Sequence, residues 1–206
     1  MQELVKVKIC GLSRHADIEA VNEAMPDYVG YVFAQSRRRI SPKLALELRE
    51  RLLSGIIPVG VFVDEKIEYI IDLIKHGVID IVQLHGSEDE SYIQRLKSKA
   101  GKPIIKAVAV QGIGDVQKWA HTCADYLLLD KKGGGTGTTF DWSLIGQCNL
   151  PYFLAGGLCP ENITEALSKT APFAVDVSSG VETKGLKDHA KIKDFVRRVK
   201  HEGCTE

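Results

Sequence analysis

Short apolar runs rich in valine, isoleucine and leucine recur along the chain. They begin near Leu4, Tyr28, Pro58, Asp80, Pro103, Asp125, Pro151 and Phe173. Runs that are apolar at nearly every position suit strands buried on both faces, as a parallel sheet requires. The opening segment instead alternates Lys6 and Lys8 with Val5, Val7 and Ile9, a strand pattern rather than the apolar centre of a signal peptide. Between most runs the period becomes helical. Ile67, Ile70, Ile71 and Ile74 fall on one face, as do Ile192, Phe195, Val196 and Val199. Ser87 followed by Glu90 reads as a capping box opening a helix through Tyr92 and Leu96. Ser41-Pro42 and Cys159-Pro160 each place proline at a first helical position.

About eight strand–helix units in 206 uninterrupted residues predict an α/β protein, a single (β/α)8 TIM barrel domain over residues 1–206. The competing doubly wound sheet would usually break into halves and carry a glycine fingerprint at its first turn. Gly11-Leu12-Ser13 is not one.

Composition then narrows the class. Lys plus Arg and Asp plus Glu both number 27, so the basic excess of a nucleic-acid binder is missing. No apolar run reaches the roughly 18 residues needed to span a bilayer. The five cysteines are an odd number with no C-x-x-C pair, which argues against a disulfide framework and a zinc site. The expectation is a soluble, cytoplasmic protein without nucleic-acid or membrane partners.

In such a barrel the active site forms at the C-terminal ends of the strands, which shortens the candidate list. Strand one ends at Cys10, strand two leads into Arg37-Arg38-Arg39, strand four ends at His85 and strand six at Asp130. Strand seven ends in Gly156-Gly157, and strand eight in Asp176 through Gly180. Glycines at strand ends let backbone amides approach an anion, and barrels commonly hold a substrate phosphate on loops seven and eight. Gly156, Gly157, Ser179 and Gly180 are therefore phosphate candidates, the bland alternative being a tight turn. The arginines are either a solvated loop or an anion contact, whose planar forks suit a carboxylate. Asp130 is a turn former or a presented acid. Cys10 is a small buried hydrophobe or a thiol biased toward thiolate. His85 is an acid, base or ligand, or a packed histidine. Gly133 to Thr139 reads as a mobile lid. Neither metal nor cofactor is implied, and there is no P-loop pattern.

Read in order, these residues resemble the phosphoribosylanthranilate isomerase family of tryptophan biosynthesis. The resemblance runs through Lys8-Ile9-Cys10-Gly11, Gly30-Tyr31-Val32-Phe33, Ser36-Arg37-Arg38-Arg39-Ile40-Ser41-Pro42, Val59-Gly60-Val61-Phe62-Val63 and Gln83-Leu84-His85-Gly86. It continues through Gly134-Gly135-Thr136-Gly137, Phe140-Asp141-Trp142, Ala155-Gly156-Gly157-Leu158 and Phe173 to Glu182. It implies a cofactor-free Amadori rearrangement of a small phosphorylated substrate, N-(5-phosphoribosyl)anthranilate, to the 1-deoxyribulose phosphate. Carried over residue by residue, it makes Cys10 the general base and Asp130 the general acid. Arg38 then holds the anthranilate carboxylate, and loops seven and eight hold the phosphate. His85 and Asp176 complete the expected substrate contacts.

Two departures stand out. Thr138 replaces a lysine frequent in the lid, and Ala34-Gln35-Ser36 replaces a frequent Pro-Lys-Ser. The rival readings are a barrel isomerase for another phosphoribosyl amine and a silent phosphosugar-binding barrel. An aspartate after strand one would be expected of the histidine-pathway enzyme and a lysine of indole-glycerol-phosphate synthase, so Cys10 argues against both. The joint presence of Cys10 and Asp130 argues against a silent barrel.

Overall fold

The computed structural model describes residues 4–131 and 139–202. Eight parallel strands close into a barrel in simple sequential order. They are β1 (Lys6–Cys10), β2 (Tyr28–Val32), β3 (Ile57–Phe62), β4 (Ile81–Leu84), β5 (Ile104–Val110), β6 (Tyr126–Lys131), β7 (Tyr152–Leu154) and β8 (Ala174–Val177). Pairing of β1 with β8, Lys8 opposite Asp176, shuts the ring. A short hairpin, β9 (Glu182–Thr183) with β10 (Leu186–Lys187), follows β8. The α-helices among the described residues are α1 (His15–Ala24), α2 (Pro42–Glu50), α3 (Ile67–Lys75), α4 (Glu90–Ala100), α5 (Ile163–Lys169) and α6 (His189–Glu202).

Strand alternation divides the interior into two cores. Val7, Ile9, Val29, Val82, Leu127, Val175 and their neighbours point outward and pack under the helices. Tyr28, Val59, Ile81, Ile105, Leu128, Phe153 and Ala174 point inward and fill the lower barrel. There the Phe153 ring meets those of Tyr28 and Tyr126 edge-on, at 5.5 and 5.7 Å between centroids. One rung higher, the inward positions turn polar: Lys8, Gln83 and Asp176 are buried.

Three local expectations are revised. Helix α4 is capped by Asp89, whose carboxylate accepts from the Tyr92 amide. Ser87 instead donates its amide and hydroxyl to Asp64 Oδ1, so the capping box does not form. Pro160 lies in a turn, and α5 begins three residues later at Ile163. There Asn162 accepts from the Cys159 amide and donates to the Gly157 carbonyl. After β5 and β6 the chain forms only short 3-10 turns, at Gln117–Trp119 and Trp142–Ile145. Ser41 does cap α2, accepting from Leu44, with Pro42 in the first turn. No helix among the described residues is long and apolar enough to cross a membrane.

Candidate active site

Cys10 and Asp130 both sit two residues beyond an inward-facing position near the top of their strands, so both open on the barrel mouth. Cys10 is 8% exposed. Its sulfur lies in space left open by Gly30, its partner across the β1–β2 ladder. Burial pushes the thiol above its ordinary value, while Lys8 and Lys187 pull it down and Asp176 raises it further. The net direction is up, so the thiol is the resting form of the free protein.

On the opposite wall, Asp130 Oδ2 stands 3.5 Å from His85 Nε2. The other carboxylate oxygen accepts from the Lys131 amide at 2.7 Å. Gln83, fully buried one rung below, donates its amide nitrogen to His85 Nδ1 at 2.9 Å, which leaves the ring proton on Nε2, facing Asp130. The peptide after His85 is clamped from both sides. The Gly86 amide donates to Glu88, and the Gly86 carbonyl accepts from Lys106.

Arg38 reaches the site across Gly11, where its side chain fills the space of a Cβ. Its Nε and Nη2 donate to the two oxygens of Glu182, at 2.7 and 3.1 Å. That leaves Nη1 and one Nη2 hydrogen for another anion. Arg37 shares Glu182 but is 57% exposed, against 17% for Arg38, and Arg39 turns outward to Gln35. Glu182 also receives buried Lys187 at 3.0 Å. Burial alone would raise the Glu182 carboxyl, but Arg38 and Lys187 hold it below the usual range.

Loops seven and eight meet as expected. Gly156 and Gly157 adopt φ of 84° and 66°, values that L side chains disfavour. A Cβ on Gly180 would collide with the Leu158 carbonyl, so the two loops touch through a glycine. Ser179 and Gly180 open a 3-10 turn at Ser179–Val181.

Asp176 is placed differently from expectation. Its carboxylate is 9% exposed and receives Lys8 Nζ at 2.9 Å, one rung beneath the thiol. Lys8 is fully buried there, so the carboxylate faces an ammonium rather than open mouth. Gly133 to Thr138 of the expected lid lie outside the described residues. Among the described residues no cluster of three or more His, Cys, Asp or Glu could hold a metal ion.

Sequence reasoning missed Lys8, Gly30, Gln83, Glu182 and Lys187 as parts of this site. Lys8 carried a readable signal, because it shares the face of Cys10 on a strand of a closed barrel. For Lys187, which packs from a hairpin outside the barrel, we find none.

The model of the family described as N-(5'phosphoribosyl)anthranilate (PRA) isomerase matches residues 7–198. The N-(5'-phosphoribosyl)anthranilate isomerase of Endomicrobium trichonymphae is 49% identical over 196 residues, covering 93% of this chain and 96% of the relative. The Clostridium acetobutylicum enzyme of that name is 44% identical over 205 residues, covering 96% and 98%. The crystal structure of phosphoribosyl anthranilate isomerase from Thermotoga maritima superposes with a TM-score of 0.86 at 38% identity, covering 96% of this chain and all of that one. A phosphoribosyl anthranilate isomerase in complex with reduced 1-(o-carboxyphenylamino)-1-deoxyribulose 5-phosphate gives 0.84 at 37%, with the same coverage.

Proposed function

Because the chain belongs to the phosphoribosylanthranilate isomerase family, the aldose–ketose isomerases of tryptophan biosynthesis, we propose a division of labour among its mouth residues. The reaction is the rearrangement of N-(5'-phosphoribosyl)anthranilate, and residues 1–206 act as one barrel domain. Asp130, carrying a proton, gives it to the furanose ring oxygen as the ring opens to a Schiff base. Cys10, as thiolate, takes the proton from the adjacent sugar carbon. The resulting enolamine tautomerises to the ketone.

The observation that carries this reading is that Cys10 and Asp130 open on one mouth in different settings. Cys10 has buried cations beside it, and Asp130 has a histidine N–H facing it. Arg38 offers its remaining donors to the anthranilate carboxylate, a geometry a planar guanidinium suits. His85 bounds the substrate from β4. The amides of Gly156, Gly157, Ser179 and Gly180 receive the phosphate. Asp176 we assign to Lys8 rather than to substrate.

Loss of anthranilate-derivative fluorescence on purified protein tests the acid. Asp130→Asn keeps the shape of the side chain and removes its proton, so kcat should fall by about 10²-fold or more with the fold intact. An Asn variant that turns over like the wild type removes Asp130 from the mechanism.

A further inference from the structure

The acid–base assignment leaves one charge cluster without a task. Lys8 and Asp176 face each other across the β1–β8 ladder and form a buried ion pair at 2.9 Å. Lys8 lies two residues before Cys10 on one strand, so both side chains point into the barrel. Its ammonium, hydrogen-bonded to Asp176, favours the thiolate by its charge. Among the described residues, the other charges near the sulfur have carboxylate or histidine partners of their own. Lys187, from β10, is committed to Glu182, as is Arg38 from the loop after β2. Asp130 and His85 pair with each other on β6 and the end of β4.

A buried ion pair is a weak way to hold a barrel together, since apolar residues of similar volume often do as well or better. What distinguishes this pair is its position under a thiol that must lose its proton. Removing water disfavours a thiolate, and only a cation close to the sulfur offsets that. Asp176 holds the ammonium in place and keeps it charged. Burial alone would lower Lys8, yet Asp176 and Cys10 reverse this and the net direction is up.

We propose that Lys8 is a positioning residue for the isomerisation: its ammonium, anchored by Asp176, is the counter-charge that holds the Cys10 thiolate. The proposal rests on the reading of Cys10 as the base. The proton taken from the sugar carbon goes to sulfur, while Lys8 keeps its three protons throughout and forms no bond to substrate. The two partners then act with opposite sign. Lys8 favours the thiolate, and Asp176 disfavours it by sharing the ammonium's charge.

The test compares the pH dependence of Cys10 alkylation by iodoacetamide, read on the Cys10 peptide by mass spectrometry, with that of kcat/KM. Lys8→Met should move both limbs toward alkaline pH by about one unit or more, and Lys8→Arg should restore most of the shift. Asp176→Asn should move both toward acid. Should the single Lys8→Met variant fail to fold, Lys8→Met/Asp176→Asn leaves no unpaired buried charge, and measured against Asp176→Asn it should show the alkaline shift. A folded Lys8→Met variant alkylated with the wild-type pH dependence, or a double variant alkylated with that of Asp176→Asn, overturns the proposal. Alkylation that shifts without the kcat/KM limb means that Lys8 controls the thiol but Cys10 is not the base, which overturns the base assignment and the catalytic part of the proposal with it.

Discussion

Gly30 and Cys10 stand opposite each other in the β1–β2 ladder, and a Cβ at position 30 would lie 2.6 Å from the Cys10 sulfur and 3.0 Å from its Cα. No real side chain tolerates such contacts, so the thiol occupies volume that only a glycine on β2 leaves open. Gly30→Ala should displace the sulfur or part the two strands. Misplacement of a reacting group by about 1 Å costs roughly 10²-fold, so kcat should fall by that order while KM changes less. Steady-state kinetics on the folded variant checks this. An unchanged kcat would mean that the sulfur's position does not matter to turnover.

Glu182 gathers Arg37, Arg38 and Lys187 on one carboxylate. Because its folded-state value lies below the ordinary one, its stabilising contribution is complete above a pH of about 4.3 and is lost as pH falls through the lowered value. Glu182→Gln leaves Lys187 buried without its counter-charge and should cost about 3 kcal/mol at neutral pH. The gap from wild type should close on acidification below pH about 4. The substitution should also raise KM, since Arg38 loses the brace that aims it. Thermal unfolding across pH, with KM at neutrality, checks both, and a pH-independent gap contradicts the assignment.

The contact of Gly180 with the Leu158 carbonyl couples the two loops proposed to hold phosphate. Inorganic phosphate should compete with substrate in the wild type. Gly180→Ala should force the loops apart, raising KM by about tenfold or more and weakening phosphate inhibition in parallel. Normal KM together with unaltered inhibition would move the phosphate elsewhere.

Most strand starts were legible because those strands begin with residues apolar on both faces, a signal that depends on neither neighbour nor register. Strands beginning at Tyr28, Ile57, Ile81 and Tyr126 follow the runs read from the sequence within about two residues. Helix ends were less legible, because a cap is settled by what else competes for the side chain. Ser87 is captured by Asp64 from the neighbouring loop, and no local pattern announces that. The mouth residues could be named from strand order, but their charge partners could not. Asp176 lies 168 residues from Lys8, and Glu182 lies 144 from Arg38. Those pairs exist only because the barrel closes. The alternating lysines of β1 look like a solvated face in one dimension, while in the closed ring Lys8 faces inward.

The most direct test of the account is turnover by Cys10→Ser, measured per folded molecule and beside its melting temperature and its affinity for a product analogue. Serine nearly matches cysteine in shape but is far too weak an acid to supply an anion near neutrality. Burial raises the thiol in the free protein, so wild-type kcat/KM should still be climbing at pH about 8.5. The serine variant should bind the analogue, melt close to wild type and lose about 10²-fold or more in kcat at every pH. A serine variant that melts lower yet keeps a kcat near wild type would contradict the account and make Cys10 a packing residue.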